Sequence, residues 1–431
     1  MSVIRAAAAM PRAVWILAAG SLINRFGGFV LVFLVLWLRH LGYSIPEAGL
    51  ATSAYAAGKM AAGPVGGELT DRLGGRTATA VSMFSSAAAM MALSAARAFA
   101  LIVALAAVTG LASELYRPAT SALLVGAVGS GDRVTAFGLY QLGANAGMAA
   151  GPAVAGVLAG HGYGWLFAGD ALTSVVWGVL VLVLLPATGG GRAATRPDPA
   201  RPAPGYPRRR APAARLLAST LLVNMVLFQS QGTFAVWVTA HGHSPAIYGG
   251  LLSFAAALTV LFQLPVGMWT RHHDPATVIA VTCAVIGIGM SMTGIGGGVG
   301  TLGFAVAVWT LGELVQWPVA ATYLTTLAPP RQIGRYAGLR SLAYGTALLI
   351  APAAGTALYT WHPAAVWAAC LITGITAGLI VLPDRRRAGR GAARAAVQPP
   401  GRRPGLESSQ VSTALTPSKP MAIPSAPCRP S

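Results

Sequence analysis

Gly67-Glu68-Leu69-Thr70-Asp71-Arg72-Leu73-Gly74-Gly75-Arg76 is a polar stretch set between two apolar runs, 47–66 and 77–96. Each run is long enough to cross a bilayer as a helix, which takes about 20 mostly apolar residues. The stretch therefore reads as the turn of a hairpin of membrane spans. Its glycines let the backbone turn tightly and the helix ends approach one another. Asp71 and the arginines can pair with each other or cap a neighbouring helix end.

Working outward, the same pattern recurs. Apolar runs fall near 13–38, 47–66, 77–96, 99–125, 134–160 and 165–185, and then near 215–239, 246–269, 276–296, 300–327, 335–360 and 364–382. The composition agrees: 55% of the 431 residues are hydrophobic and 10% are charged, against about 25% charged in soluble proteins. Mean hydropathy is +0.63. These values exclude a soluble domain, a disordered chain, a coiled coil and collagen for most of the length. Cys283, Cys370 and Cys428 are too few for a disulfide framework. The first run follows Arg5 and Arg12 but continues past Asn24-Arg25 to Leu38, too long for the apolar core of a signal peptide. The expected fold is an all-α polytopic membrane protein with twelve transmembrane helices.

The formal net charge of +19 is concentrated. Residues 186–215 hold seven Arg and one acid, and the tail 384–431 holds eight Arg, Lys419, Asp384 and Glu407. Basic segments beside spans mark cytoplasmic loops facing anionic lipid, so a nucleic-acid partner is not expected. With the N-terminus inside, 24 basic residues fall on the cytoplasmic side and two, Arg39 and Arg97, outside. The distribution predicts cytoplasmic N- and C-termini.

The halves repeat at an offset of 200, with Asn24/Asn224, Trp37/Trp237, Gly42/Gly242, Gly49/Gly249, Ser53/Ser253, Pro118/Pro318, Gly138/Gly338 and Pro152/Pro352. Matched Asn, Trp and Pro at one offset indicate a duplicated six-helix unit whose copies enter the membrane from the same side. Such parallel repeats place a substrate site between the halves. The expected organisation is a six-helix bundle over 1–185, an Arg/Pro-rich cytoplasmic linker over 186–213, a second six-helix bundle over 214–383 and a disordered cytoplasmic tail over 384–431.

The 67–76 loop, in this layout, resembles the signature loop of the major facilitator superfamily, G-x-L-x-D-R-x-G-R-[KR], and the resemblance covers about residues 10–383. Gly75 departs from it, since the family has a basic residue there, and Arg76 is positioned to compensate. The resemblance implies a gating role for Gly67, Asp71, Arg72, Gly74 and Arg76, which latch the carrier during alternating access. The second copy, from Gly267 to Asp274, is degenerate. In the fifth run, Gly138, Gly147, Gly151, Pro152 and Gly156 resemble the family's antiporter motif, with Ala155 replacing one glycine. Small residues four apart share a helix face and permit close packing, and Pro152 removes a backbone hydrogen bond. In the family this motif marks drug:proton exporters. Exporters often carry an arginine four residues before a glycine in the fourth span; counting back from Gly110 lands on Ala106.

Ionisable groups inside spans are costly and mark functional sites. Three acids qualify: Glu114, Asp170 and Glu313. Buried carboxyls titrate closer to neutrality, which makes all three candidates for proton coupling. Glu114 and Arg117, three apart, lie on one helix face, and Arg25 needs a carboxylate partner, Glu114 or Asp170. Asp170 is expected near the outer end of its helix, in reach of water. Glu313 has no basic neighbour within a turn and is the leading carrier. Lys59 is expected to snorkel to the cytoplasmic face. Trp37, Tyr55, Tyr140, Trp237, Phe254, Trp317, Tyr323 and Tyr344 are candidates to line an apolar pocket.

No phosphate-cradling motif, nucleophile–base set or carboxylate–histidine cluster stands out, so no cofactor, metal or enzymatic activity is expected. The reading is a secondary transporter of the bacterial inner membrane, monomeric, whose partners are protons, membrane lipid and a hydrophobic or amphipathic small molecule exported by alternating access. Proton-coupled uptake is the alternative within transport. A non-transporting sensor or scaffold that keeps the fold is the alternative outside it.

Overall fold

The computed structural model describes residues 9–129, 132–186, 210–270, 273–328 and 333–382. Almost all of the 186–213 linker, the whole 384–431 tail and Arg271 and His272 of the second loop copy lie outside them. Among the described residues the chain forms helices and no strands. They are α1 (Arg12–Phe26), α2 (Phe29–His40), α3 (Ile45–Ala95), α4 (Phe99–Ala112), α5 (Tyr116–Ala127), α6 (Arg133–His161) and α7 (Gly164–Leu184). After the linker come α8 (Arg210–Leu227), α9 (Thr233–Ala240), α10 (Pro245–Thr270), α11 (Pro275–Met292), α12 (Val299–Leu327), α13 (Ile333–Trp361) and α14 (Pro363–Val381).

Eleven helical stretches among the described residues are long and apolar enough to span a membrane. One of them, α3, is 51 residues long, about 77 Å at 1.5 Å per residue and more than twice the ~30 Å hydrocarbon core. It breaks at Gly74, whose φ of 77° and ψ of 157° are not helical. A side chain there would be strained, which is why glycine occupies the break. Counting its two arms separately gives the twelve spans.

Three further spans are interrupted at membrane depth. The first breaks at Gly27-Gly28, between α1 and α2. At the equivalent place in the second half a 3-10 turn, Phe228–Gln231, separates α8 from α9. Gln229 holds that turn: its Nε2 donates to Ala351 O at 3.1 Å, and its Oε1 accepts from Thr233 Oγ1 at 2.8 Å. The fourth span breaks at Ser113–Leu115, between α4 and α5. Interrupted backbone is tolerated at this depth where it is buried in protein or lines a cavity.

The tight turns at Gly42 and Gly242 both use positive φ, 92° and 80°, so the repeat positions adopt equivalent conformations. Ser44 and Glu47 close a capping box on α3, with Ser44 N donating to Glu47 Oε2 at 2.7 Å. Asp274 caps α11 by accepting from Thr277 N at 2.9 Å.

The described residues up to Leu382 form one compact unit. Within it α1 packs on α6 and α7, and α3 on α4, α5 and α7; α11 packs on α12 and α14, and α8 on α13 and α14. The most extensive contacts between the halves are α6 with α10 and α3 with α13, and α2 also touches α9 and the Phe228–Gln231 turn. A fully buried core cluster also bridges them. Phe33 of α2 meets the Tyr248 ring of α10 edge-on at 5.3 Å, and Tyr248 OH donates to Ser230 O at 2.9 Å.

Candidate functional site between the helical walls

Glu114 sits in the break of the fourth span rather than on a continuous helix face. Three cations from three other positions converge on it. Lys59 Nζ of α3 lies 2.9 Å from Oε1, Arg25 Nη1 of α1 lies 3.6 Å from the same oxygen, and Arg117 Nε of α5 pairs with Oε2. Glycine makes this convergence possible. A Cβ at Gly58 would fall 1.9 Å from Ala107 O, and one at Gly110 2.0 Å from Tyr55 O. Only bare backbone lets α3 and α4 approach closely enough for Lys59 to reach the carboxylate. Tyr55 OH and Ser113 Oγ, 3.1 Å apart, tie the two helices beside it.

The expectation that Lys59 snorkels to the cytoplasmic face is corrected. Helix α3 extends 14 residues beyond Lys59 in one direction and 14 to the Gly74 break in the other, about 21 Å each way. The Lys59 ammonium pairs in place, 2.9 Å from Glu114 Oε1. The two partners open to Arg25 resolve to Glu114. Asp170 is not near water: it is 4% exposed, and its Oδ2 accepts from Val30 N at 3.3 Å. It supplies the N-terminal cap of α2 that Gly28, having no side chain, cannot. Ala106 is fully buried in the apolar core, and the guanidinium groups on Glu114 are those of Arg25 and Arg117.

Facing this cluster is a second wall on α12 and α13. Glu313 and Trp317 are one turn apart on α12, as are Arg340 and Tyr344 on α13. The Arg340 guanidinium lies 5.4 Å from the Trp317 ring centre, a cation–π distance. Tyr344 packs edge-on against Trp317 at 5.3 Å and Phe228 at 5.0 Å. Glu313 is half-buried, and among the described residues it has no ion pair. Tyr344 lies within electrostatic range of Glu313 and also of Arg117, Glu114 and Arg25. A Cβ at Gly345 would fall 2.9 Å from Met60 Cγ. Met60 of α3 and Gly345 of α13 therefore meet across the halves, one residue along from Lys59 and Tyr344.

The 67–76 loop is placed differently from a simple pair of Asp71 with the arginines. Arg72 pairs with Glu68 on the exposed surface, and Arg76 Nη2 donates to Leu182 O in the last turn of α7. Asp71 is exposed and makes no ion pair among the described residues. Gly75 is packed against α5, where a Cβ would lie 2.8 Å from Leu123 Cγ and 3.0 Å from Ala119 O. A basic side chain does not fit there, and Arg76 carries the charge instead.

The small residues of the fifth span are close-approach points. A Cβ at Gly147 would meet Leu22 O at 2.4 Å, and one at Gly151 would meet Phe26 O at 2.6 Å, so both press α6 onto α1. Gly156 faces α10 across the halves, its Cβ 2.8 Å from Ala246 Cα. Gly138 meets nothing within 4 Å. The contacts between halves are reciprocal in the repeat: a Cβ at Gly249 would lie 2.1 Å from Pro152 O, and one at Gly49 2.7 Å from Pro352 O.

The Major Facilitator Superfamily model matches residues 17–312 and 233–416. An uncharacterized MFS-type transporter of Bacillus subtilis, YhjO, is 25% identical over 318 residues, 73% of this chain and 78% of its own. A multidrug resistance protein of Cronobacter sakazakii, MdtH, is 25% identical over 372 residues, 81% of this chain and 88% of its own. Among solved structures, a peptide transporter POT in complex with sulfate superposes with a TM-score of 0.72 at 19% identity, covering 90% of this chain and 99% of that one. The nucleoside transporter NupG does so with 0.71 at 12% identity, covering 86% and 99%. At these identities the superpositions speak to the fold alone. With the sequence match spanning both halves and the interrupted helices around a shared interior, this chain belongs to the Major Facilitator Superfamily of membrane transporters.

Proposed function

We propose that the protein exports a hydrophobic or amphipathic small molecule in exchange for protons. The observation that carries this reading is Glu313, an intramembrane carboxyl without an ion-pair partner among the described residues, on an aromatic wall facing a clustered set of cations. A carboxyl held by cations stays ionised, whereas an unpaired one is free to take up and release a proton. Glu114 is therefore a structural hub, Asp170 a helix cap, and Glu313 the carrier. The antiporter-type glycine and proline pattern of α6 and the drug-resistance name of a relative support export over uptake.

In this reading residues 1–185 and 214–383 are two six-helix units that rock about the reciprocal glycine–proline contacts, and the 67–76 loop latches one access state. The protein works as a monomer in the inner membrane, with its termini and the 186–213 linker in the cytoplasm. The test is efflux from proteoliposomes under an imposed pH gradient. Glu313→Gln keeps shape and removes titration, and it is expected to abolish uphill export while leaving downhill exchange measurable. Undiminished uphill export by this variant moves the carrier elsewhere, and gradient-driven accumulation in place of efflux establishes uptake.

A further inference from the structure

The polar wall carries more positive charge than it neutralises. Glu114 supplies one negative charge and two oxygens, and Arg25, Lys59 and Arg117 supply three positive charges. The surplus is not spread evenly. The Arg25 and Lys59 side chains are 23% and 20% exposed, whereas that of Arg117 is 57% exposed. Arg117 meets Glu114 through Nε, which leaves the outer edge of its fork unused among the described residues. Tyr344, whose ring packs edge-on against Trp317, lies within electrostatic range of Arg117, and the halves meet beside it where Gly345 approaches Met60. An unbalanced cation in a low-dielectric setting is costly unless an anion joins it. A guanidinium fork matches the two oxygens of a carboxylate, phosphonate or sulfonate.

We infer that Arg117, backed by Lys59 and Arg25, binds the anionic group of the substrate while Trp317 and Tyr344 hold its apolar body, so that the transported molecule is an organic anion with an aromatic or aliphatic moiety. This rests on reading the space between the walls as the substrate site, and it narrows the substrate class there.

The experiment uses the full-length protein in an uncharged detergent and calorimetric titration with three probes of one shape: 2-naphthoate, 2-naphthylmethanol and 2-naphthylmethylammonium. Naphthoate is expected to bind about tenfold or more tighter than the other two, the scale of one charge-assisted hydrogen bond. Arg117→Gln is expected to erase that preference and Arg117→Lys to keep most of it, which separates charge from shape. Equal binding of the three probes, preference for the ammonium, or an unchanged preference in Arg117→Gln overturns the proposal. So does a copurifying phospholipid, bound one per protein, that naphthoate fails to displace, because the cations then serve a lipid headgroup. No gradient is applied, so binding is read apart from direction and coupling: anion binding without export sinks only the export reading, and export of cations sinks only this one.

Discussion

Glu114 is the residue on which the polar interior depends, because one carboxylate pairs with three cations at once. Removing a single cation leaves the carboxylate paired; removing the carboxylate leaves three positive charges in a low-dielectric setting. Breaking a buried pair from that side costs about 3–5 kcal/mol. Glu114→Gln is therefore expected to lower the melting temperature of the detergent-solubilised protein much more than Lys59→Met, whose loss Arg25 and Arg117 cover. Equal shifts for the two variants would show that the cluster is not centred on Glu114. The sequence paired Glu114 with Arg117, left Arg25 between Glu114 and Asp170, and had Lys59 snorkel toward the cytoplasmic face. A charge count held the missing signal: four basic residues, Arg25, Lys59, Arg117 and Arg340, lie inside spans alongside only three acids. A lysine at mid-span has little choice but to share one of them.

At the scale of single elements, the interrupted spans explain where the acids act. The break at Gly27-Gly28 leaves the first amides of α2 without helical acceptors, and Asp170 from α7 accepts from one of them. Asp170→Ala is expected to cost about 1 kcal/mol, as loss of a helix cap does. Asp170→Asn keeps an acceptor oxygen and should transport normally. Loss of proton coupling in the Asn variant would restore Asp170 as a carrier. The Gly74 break divides one continuous apolar helix into two spans. The glycine-rich loop was readable as a turn between them, whereas its φ and the packing of Gly75 against α5 depend on where α5 lies.

For the whole molecule, the reciprocal contacts Gly49–Pro352 and Gly249–Pro152 join the halves at the end that carries the Gly42 and Gly242 turns. Ala153 N donates to Ser253 Oγ at 2.9 Å in the same place. If this end opens during the cycle, cysteines at Ala153 and Ser253 joined by a short crosslinker should stop transport, and reduction should restore it. Undisturbed transport in the crosslinked protein would mean that the halves stay joined there throughout. The charge distribution makes a second expectation at this scale. Reporters active only in the cytoplasm, fused at Gly190 and after Pro383, should be active, because 24 basic residues fall on that side. Activity of an exterior-only reporter at either point would invert the topology.

The sequence by itself determined the spans, the duplication at an offset of 200 and the loop that marks the family. Each follows from local properties: run length set against bilayer thickness, repeated Asn, Trp and Pro, and glycine at a turn. It also singled out the acids, since few ionisable residues are tolerated inside a membrane. Tertiary structure alone decided that Lys59 and Arg25 join Arg117 on Glu114, that Asp170 caps α2, and that Met60 and Gly345 meet across the halves. Lys59–Glu114, Arg25–Glu114 and Val30–Asp170 join residues 55 to 140 positions apart. Their distances are set by how closely glycines such as Gly58 and Gly110 let helices approach. No periodicity along one chain segment encodes where two helices cross, so the chemistry of the interior became visible only once the helices were packed.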